Sequence, residues 1–168
     1  MTFIKNSVVF PGQGSQYVGM LSEYIDNETT FKNTFIIASE ILNINLLDLI
    51  KKGPKKKLAS TEVTQPLMLV ADVALWNLIS NHINKPICLA GHSLGEYAAL
   101  VAAEALKFEE ALELVKSRSQ LMQNAVPEKE GSIAAIIGLK EETVSDICRR
   151  VTTNPSKLVN TANINSPN

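Results

Sequence analysis

A five-residue segment, residues 91–95 (Gly-His-Ser-Leu-Gly), constrains the fold more than any other part of the sequence. Residues 86–90 before it form a short apolar run typical of a buried strand, and residues 96–106 after it are rich in Ala and Leu, which favour a helix. A sharp strand-to-helix turn holds its central residue in a strained backbone conformation, and glycine on both sides lets strand and helix pass closely. The segment therefore predicts an α/β fold in which Ser93 projects from a nucleophile elbow. The alternative is a glycine-rich turn whose serine only caps the helix.

Composition narrows the class of protein. The 168 residues, 45% of them hydrophobic, suffice for a globular domain with a core, and a net charge of −1 gives no reason to expect nucleic acid or an anionic membrane as partner. The apolar stretch 66–79 is too short to span a bilayer and contains Asp72. Cys88 and Cys148 have neither metal-site nor disulfide spacing, so we expect a cytoplasmic protein, with Cys88 as a small core residue.

The rest of the chain predicts alternating strands and helices. Residues 64–81 are apolar nearly all round, which indicates a buried helix. Residues 132–164 have a β-α-β pattern like the first half of a ferredoxin-like subdomain. We therefore predict a core over residues 1–126 and the start of a second subdomain over residues 127–168. The other predicted strands are 7–10, 132–139 and 157–164, and the other predicted helices are 28–42, 107–125 and 140–151.

The helix over 107–125 presents one row of residues that is apolar at every position except Arg118. The row consists of Ala111, Leu114, Arg118, Leu121 and Ala125, so Arg118 is expected to point inward or along the edge of the inward face. An arginine in such a place either extends its head group to solvent or pairs with a buried carboxylate. The functional alternative is a receptor for an anion.

Residues 51–57 contain five lysines, interrupted by Gly53 and Pro54. Such a run is either a solvated turn or a surface that attracts an acidic partner.

Four segments together reveal a family resemblance. They are residues 10–16 (Phe-Pro-Gly-Gln-Gly-Ser-Gln), residues 64–66 (Thr-Gln-Pro), the elbow extended to Tyr97, and Arg118. The whole chain resembles malonyl-CoA:acyl-carrier-protein transacylases of bacterial fatty acid synthesis, and acyltransferase domains of polyketide synthases share these motifs. The resemblance implies an α/β-hydrolase-like core with a ferredoxin-like insertion. Relatives are nearly twice as long, so the chain corresponds to an N-terminal portion with an incomplete core.

The resemblance also implies roles for individual residues. Ser93 takes the malonyl group as an oxyester, and the backbone N–H groups of Gln13 and Leu94 are aimed at the tetrahedral oxyanion. Arg118 holds the free carboxylate of the malonyl group through two parallel hydrogen bonds. Gln65 and His92 are suggested as further pocket residues.

The implied reaction is a two-step exchange between malonyl-CoA and acyl carrier protein. Ser93 attacks the thioester and releases CoA, and the phosphopantetheine thiol of the carrier protein then attacks the malonyl-serine ester. The resemblance implies neither a metal nor a redox cofactor. Because acyl carrier protein is acidic, the lysines of residues 51–57 are candidates for docking it.

The general base of the family is a histidine that would lie beyond residue 168. His92 adjoins Ser93 but points away from it, and His82, at the end of a predicted helix, is expected at the surface. Since a serine hydroxyl needs a base, we expect the chain alone to transfer little or no malonyl.

Two other functions stay open on sequence alone. One is an esterase or thioesterase of the α/β-hydrolase type, which shares the elbow pattern but is disfavoured by the loop at 12–16 and by Arg118. The other is a non-catalytic remnant, which the missing base favours.

Overall fold

The computed structural model describes residues 5–127, 130–152, 154 and 158–166. The chain divides into two compact units, Met1–Pro127 and Glu128–Asn168. Helices and strand pairing together give the α/β class that the sequence predicted.

A two-stranded parallel sheet places the loops that matter in the first unit. Strands β1 (Ser7–Phe10) and β2 (Cys88–Gly91) pair in register, with Ser7 opposite Cys88 and Phe10 opposite Gly91. The carboxyl ends of parallel strands meet at one edge, so the loop after β1 and the elbow after β2 leave the sheet side by side.

Seven α-helices lie in the described part of this unit. Helices α1, α3 and α4 were not predicted, because four to seven residues are too few to show helical periodicity. A 3-10 turn, Ser80–His82, follows α5. The helices are α1 (Ser22–Asn27), α2 (Thr29–Leu42), α3 (Leu46–Lys52), α4 (Lys55–Leu58), α5 (Thr61–Ile79), α6 (Gly95–Ala102) and α7 (Phe108–Ala125).

Helix α5 is the centre of the core, as its all-round apolar pattern predicted. Every residue from Val63 to Ala74 is buried, and α2, α6 and α7 pack around it. The ring of Trp76 meets Phe10 edge-on at 6.2 Å between centroids, which ties the end of β1 to α5. By length and composition, residues Thr61–His82 would suffice to cross a membrane, although 67% of that window is buried inside the protein, as in a core helix.

The buried face of α7 differs from the predicted one. Leu114 and Leu121 are 50% and 74% exposed, whereas the buried row includes Leu112, Val115 and Ser119. The two rows are one residue apart, and packing against α5 buries the second row together with Ala111, the one residue of the predicted row that is buried. Helical spacing alone does not distinguish such adjacent rows.

Cys88 is exposed, so the prediction of a core position is wrong. Val9 on β1 is also 71% exposed. The reason is that the helices of the described chain leave this part of the sheet uncovered.

The second unit contains helix α8 (Glu141–Val151), close to its predicted limits. The strands predicted at 132–139 and 157–164 are not formed: residues 132–139 and 158–164 have no strand structure, and residue 157 lies outside the described residues. A strand needs a hydrogen-bonded neighbour, and these segments pair with none in the described chain. Instead, Thr152 Oγ1 exchanges two 3.1 Å hydrogen bonds with the backbone of Val159. The described residues therefore do not form the predicted β-α-β arrangement.

Candidate active site

The turn at Ser93 has the strained backbone that its sequence context predicted. Ser93 has a φ of +55°, in the left-handed region that a residue with a Cβ rarely adopts. Two hydrogen bonds close the turn: the N–H of Gly95 donates to the carbonyl of His92 at 2.9 Å, and that of Glu96 to the carbonyl of Ser93 at 3.2 Å. Holding a side chain in this conformation costs about 1–3 kcal/mol, which the surrounding packing must supply.

Three glycines let the segments around the turn approach each other. A Cβ on Gly91 would lie 2.1 Å from the carbonyl of Gly95, and one on Gly95 would lie 2.1 Å from the carbonyl oxygen of Phe10. A Cβ on Gly12 would lie 2.9 Å from the carbonyl oxygen of His92. The loop after β1, the end of β2 and the start of α6 are therefore in backbone contact.

Arg118 reaches the serine from α7. Its Nη2 donates to Ser93 Oγ at 3.0 Å, its Nη1 donates to Gln65 Oε1, and its guanidinium lies over the ring of Tyr97 at 5.8 Å. No salt bridge to Arg118 occurs in the described part of the chain, so it does not have the buried carboxylate partner considered from sequence. A half-buried cation without such a partner, beside an alcohol, is suited to receive an anion.

Gln65 holds the guanidinium from the other side. Its side chain is 1% exposed on α5, its Oε1 accepts from Arg118, and its Nε2 contacts Met122 Sδ at 3.3 Å. Both ends of the amide are engaged, so the oxygen is fixed toward Arg118. The structure thus brings together Ser93, Arg118 and Gln65 from three separate segments.

Gln13 lies in the loop after β1. Its exposed side chain donates to Thr61 Oγ1 at 3.5 Å, at the start of α5. The preceding residue, Gly12, packs against His92 of the elbow. This places the Gln13 backbone next to the turn, although no contact between Gln13 and Ser93 is present in the described residues.

Leu94 contributes through its backbone. Its side chain is 1% exposed in the core, whereas its N–H belongs to the N-terminal end of α6. The first N–H groups of a helix have no acceptor within it, and the helix dipole is positive at that end. A negative oxygen formed at Ser93 would meet this favourable potential.

The two histidines differ in their distance from the serine. His92 adjoins Ser93, is exposed, and donates its backbone N–H to the carbonyl of Phe10 at 3.1 Å. His82 is exposed in the turn after α5, 17 residues from Gln65, which is about 25 Å along a helix. His82 is therefore remote from the site. Within the described ranges, no group of three or more His, Cys, Asp or Glu side chains forms a metal-binding cluster.

Asp72 is a buried carboxylic acid for which the sequence predicted no functional role. It lies on α5, 5% exposed, and its Oδ2 has no hydrogen-bond partner in the described structure. Burial raises the pKa of Asp72 from 3.8 to about 7. Asp72 is seven residues from Gln65, which puts both on one face of the helix. In the sequence, an acidic residue within an apolar run was the signal that could have indicated this buried carboxyl group.

Comparison with known proteins shows that the chain is similar to acyltransferases. Residues 8–165 match the acyl transferase domain family. The chain is 44% identical over 160 residues to the malonyl CoA-acyl carrier protein transacylase of Salmonella typhimurium, covering 95% of this chain and 51% of that protein. It is 43% identical to the transacylase of Haemophilus influenzae, with 97% and 52% covered.

Solved structures of malonyl transacylases are also similar to this chain. The malonyl CoA-acyl carrier protein transacylase of Coxiella burnetii superposes with a TM-score of 0.84 at 49% identity, covering 88% of this chain and 47% of the other. The acyl-carrier-protein S-malonyltransferase of Burkholderia pseudomallei gives 0.88 at 42% identity, covering 98% and 53%. The chain spans about half the length of the relatives it matches. From the match over most of its length, the chain belongs to the acyl transferase domain family.

Proposed function

We propose that the chain is the nucleophile-bearing portion of a malonyl-CoA:acyl-carrier-protein transacylase of fatty acid biosynthesis, acting in the cytoplasm. One observation carries the proposal: Arg118 Nη2 lies 3.0 Å from Ser93 Oγ, with no carboxylate partner in the described chain. An alcohol and a guanidinium this close fit an acyl group that carries both an electrophilic carbonyl and an acid. The names of the relatives, which are malonyl transacylases, support the same substrate.

Arg118 would select the malonyl group. When the thioester carbonyl approaches Ser93, the free carboxylate would take the Nη2 donor that now reaches Ser93 together with a second guanidinium N–H, while Nη1 stays bonded to Gln65. Gln65 and Tyr97 would keep the guanidinium plane in position. Each charge-assisted hydrogen bond is worth about 1.5–3 kcal/mol, enough to favour malonyl over a neutral acyl group.

The backbone would stabilise the tetrahedral intermediate. The N–H of Leu94 at the start of α6 is one donor, and the N–H of Gln13 in the adjacent loop is the second. Ser93 Oγ adds to the thioester carbonyl as the base takes its proton, the tetrahedral intermediate then collapses with breakage of the carbon–sulfur bond, and the base returns the proton to sulfur so that CoA leaves as the thiol. In the second step, the phosphopantetheine thiol of the carrier protein attacks the ester and regenerates the Ser93 hydroxyl.

The proton of Ser93 needs an acceptor. Of the two histidines, His82 is remote from Ser93, and the imidazole of His92 lies beside Gly12, with its Nδ1 3.4 Å from where a Cβ on Gly12 would stand. We propose that a histidine supplied by the remainder of the family fold is the base, and that the reaction uses no metal and no redox cofactor. In this proposal residues 1–126 form an incomplete α/β-hydrolase-like core. Residues 127–168 begin a ferredoxin-like subdomain whose strands form when further strands pair with them.

The test is acylation of Ser93. The chain is mixed with the part of the Salmonella typhimurium transacylase that it does not cover, then exposed to malonyl-CoA or acetyl-CoA, and the intact mass is measured. We expect a malonyl adduct that Ser93→Ala abolishes. Arg118→Ala is expected to lower malonyl labelling by at least roughly tenfold while sparing acetyl labelling, because one charge-assisted hydrogen bond exceeds 1.4 kcal/mol.

Arg149→Ala, which removes an exposed arginine of α8, is the matched control and should leave labelling unchanged. The absence of an adduct at Ser93, or equal loss of malonyl and acetyl labelling in Arg118→Ala, would contradict the proposal. Efficient hydrolysis of a neutral ester would favour the esterase alternative instead.

A further inference from the structure

Helix α4 presents three lysines on the surface of the first unit. Lys55, Lys56 and Lys57 are consecutive and exposed, whereas Leu58 is buried and anchors the helix. We refer to the three lysines as the α4 lysine cluster. From the sequence, residues 51–57 are either a solvated turn or a surface that attracts an acidic partner.

The structure separates this cluster from the other two lysines of the run. Lys51 pairs with Asp26, and Lys52 pairs with Asp48 at 2.7 Å. Within the described residues, no carboxylate forms a salt bridge with the α4 lysine cluster. Exposed Glu62, in the first turn of α5, is the acidic residue that follows it in the chain. The cluster therefore keeps a positive local charge.

The cluster is connected to the candidate site through the loop after β1. Lys57 precedes Thr61 by four residues, which span at most about 14 Å, and Thr61 Oγ1 accepts a hydrogen bond from Gln13. The loop that carries Gln13 is fixed to the end of α3 because the N–H of Gly19 donates to the carbonyl of Ile50 at 2.7 Å. The same loop thus connects the cluster to the elbow.

We propose that the α4 lysine cluster is a docking surface for the acidic carrier protein that receives the acyl group. This inference rests on the proposed function and assigns the surface that binds the partner in that reaction. Successive residues of a helix project about 100° apart, so three consecutive lysines spread over roughly 200° of a convex surface. They cannot converge on one phosphate of CoA, as a small anion requires, but they suit a broad surface of negative charge.

The experiment measures binding of phosphopantetheinylated acyl carrier protein to the full chain by fluorescence anisotropy. The variant combines Lys55→Glu, Lys56→Glu and Lys57→Glu. The matched control makes the same change in charge at three other exposed lysines, Lys32, Lys85 and Lys107. At about 20 mM salt we expect the cluster variant to raise Kd roughly tenfold and the control to change it by less than about twofold. At about 500 mM salt the difference should nearly vanish, because the Debye length falls to a few ångströms.

Several outcomes would overturn the docking surface. They are equal weakening by both triple variants, absence of binding by the unaltered chain, and loss of malonyl-CoA binding with carrier binding intact. Circular dichroism melting of each variant checks that the fold is retained. Acylation of Ser93 is measured in a separate experiment. If the chain binds carrier protein through the cluster but forms no adduct at Ser93, the proposed chemistry is refuted and the docking surface is still supported.

Discussion

Replacing Asp72 with asparagine should change how the stability of the protein depends on pH. Asp72 is buried on α5, its Oδ2 has no partner in the described structure, and burial raises its pKa to about 7 from 3.8. Asparagine has nearly the same shape and carries no charge. The substitution therefore removes the titration while leaving the packing almost unchanged.

The magnitude follows from the difference between the folded and unfolded pKa of Asp72. Between about pH 4 and pH 7 the folded state binds the proton more tightly than the unfolded state, so stability falls as pH rises through this range. The contribution is fully present below about pH 4 and lost above about pH 7. A difference of about 3 in pKa corresponds to about 4 kcal/mol. At about pH 8, Asp72→Asn should accordingly exceed the unaltered chain in free energy of unfolding by up to about 4 kcal/mol, and the advantage should shrink toward pH 4.

The assay is urea denaturation followed by circular dichroism at a series of pH values. Asp26→Asn, at an exposed carboxylate on α1, serves as the control and should leave the pH profile of the unaltered chain in place. If Asp72→Asn kept the same pH dependence, or were less stable than the unaltered chain at pH 8, the argument that Asp72 pays a desolvation cost when ionised would be refuted.

Two further predictions concern the elbow. Gly95→Ala should lower the free energy of unfolding by more than about 3 kcal/mol, measured by the same denaturation assay, because its Cβ would lie 2.1 Å from the carbonyl oxygen of Phe10; a neutral result would mean that the close approach does not exist. Ser93→Gly should be about 1 kcal/mol more stable than Ser93→Ala, since only glycine adopts a φ of +55° without strain, and equal stability of the two variants would exclude strain at this turn.

The parts of the fold that could be predicted are those set by local sequence. The elbow was predictable because strand, glycines and helix are adjacent in the chain, and α5 because its apolar residues surround the helix. The inward or edge position of Arg118 was also visible from the helix phase, and the structure places it against Ser93.

The parts that could not be predicted depend on distant partners. The buried row of α7 is chosen by contact with α5, and the strands expected at 132–139 and 157–164 require neighbours that the described chain does not pair with them. The exposure of Cys88 has the same origin, because burial of a strand face depends on what covers it. The contact of Gln65 with Arg118 joins residues 53 positions apart, and no local pattern encodes it.

The hydrogen bond from Arg118 to Ser93 has a consequence for the resting enzyme under the proposed function. By donating to the hydroxyl oxygen, the guanidinium engages one of its two lone pairs and lowers the nucleophilicity of Ser93 while this hydrogen bond is made. An acyl thioester with a free carboxylate would draw the guanidinium away from the Ser93 oxygen. A neutral acyl thioester would leave the hydrogen bond from Arg118 to Ser93 in place. The same hydrogen bond would then help to select the acyl group before any covalent bond forms.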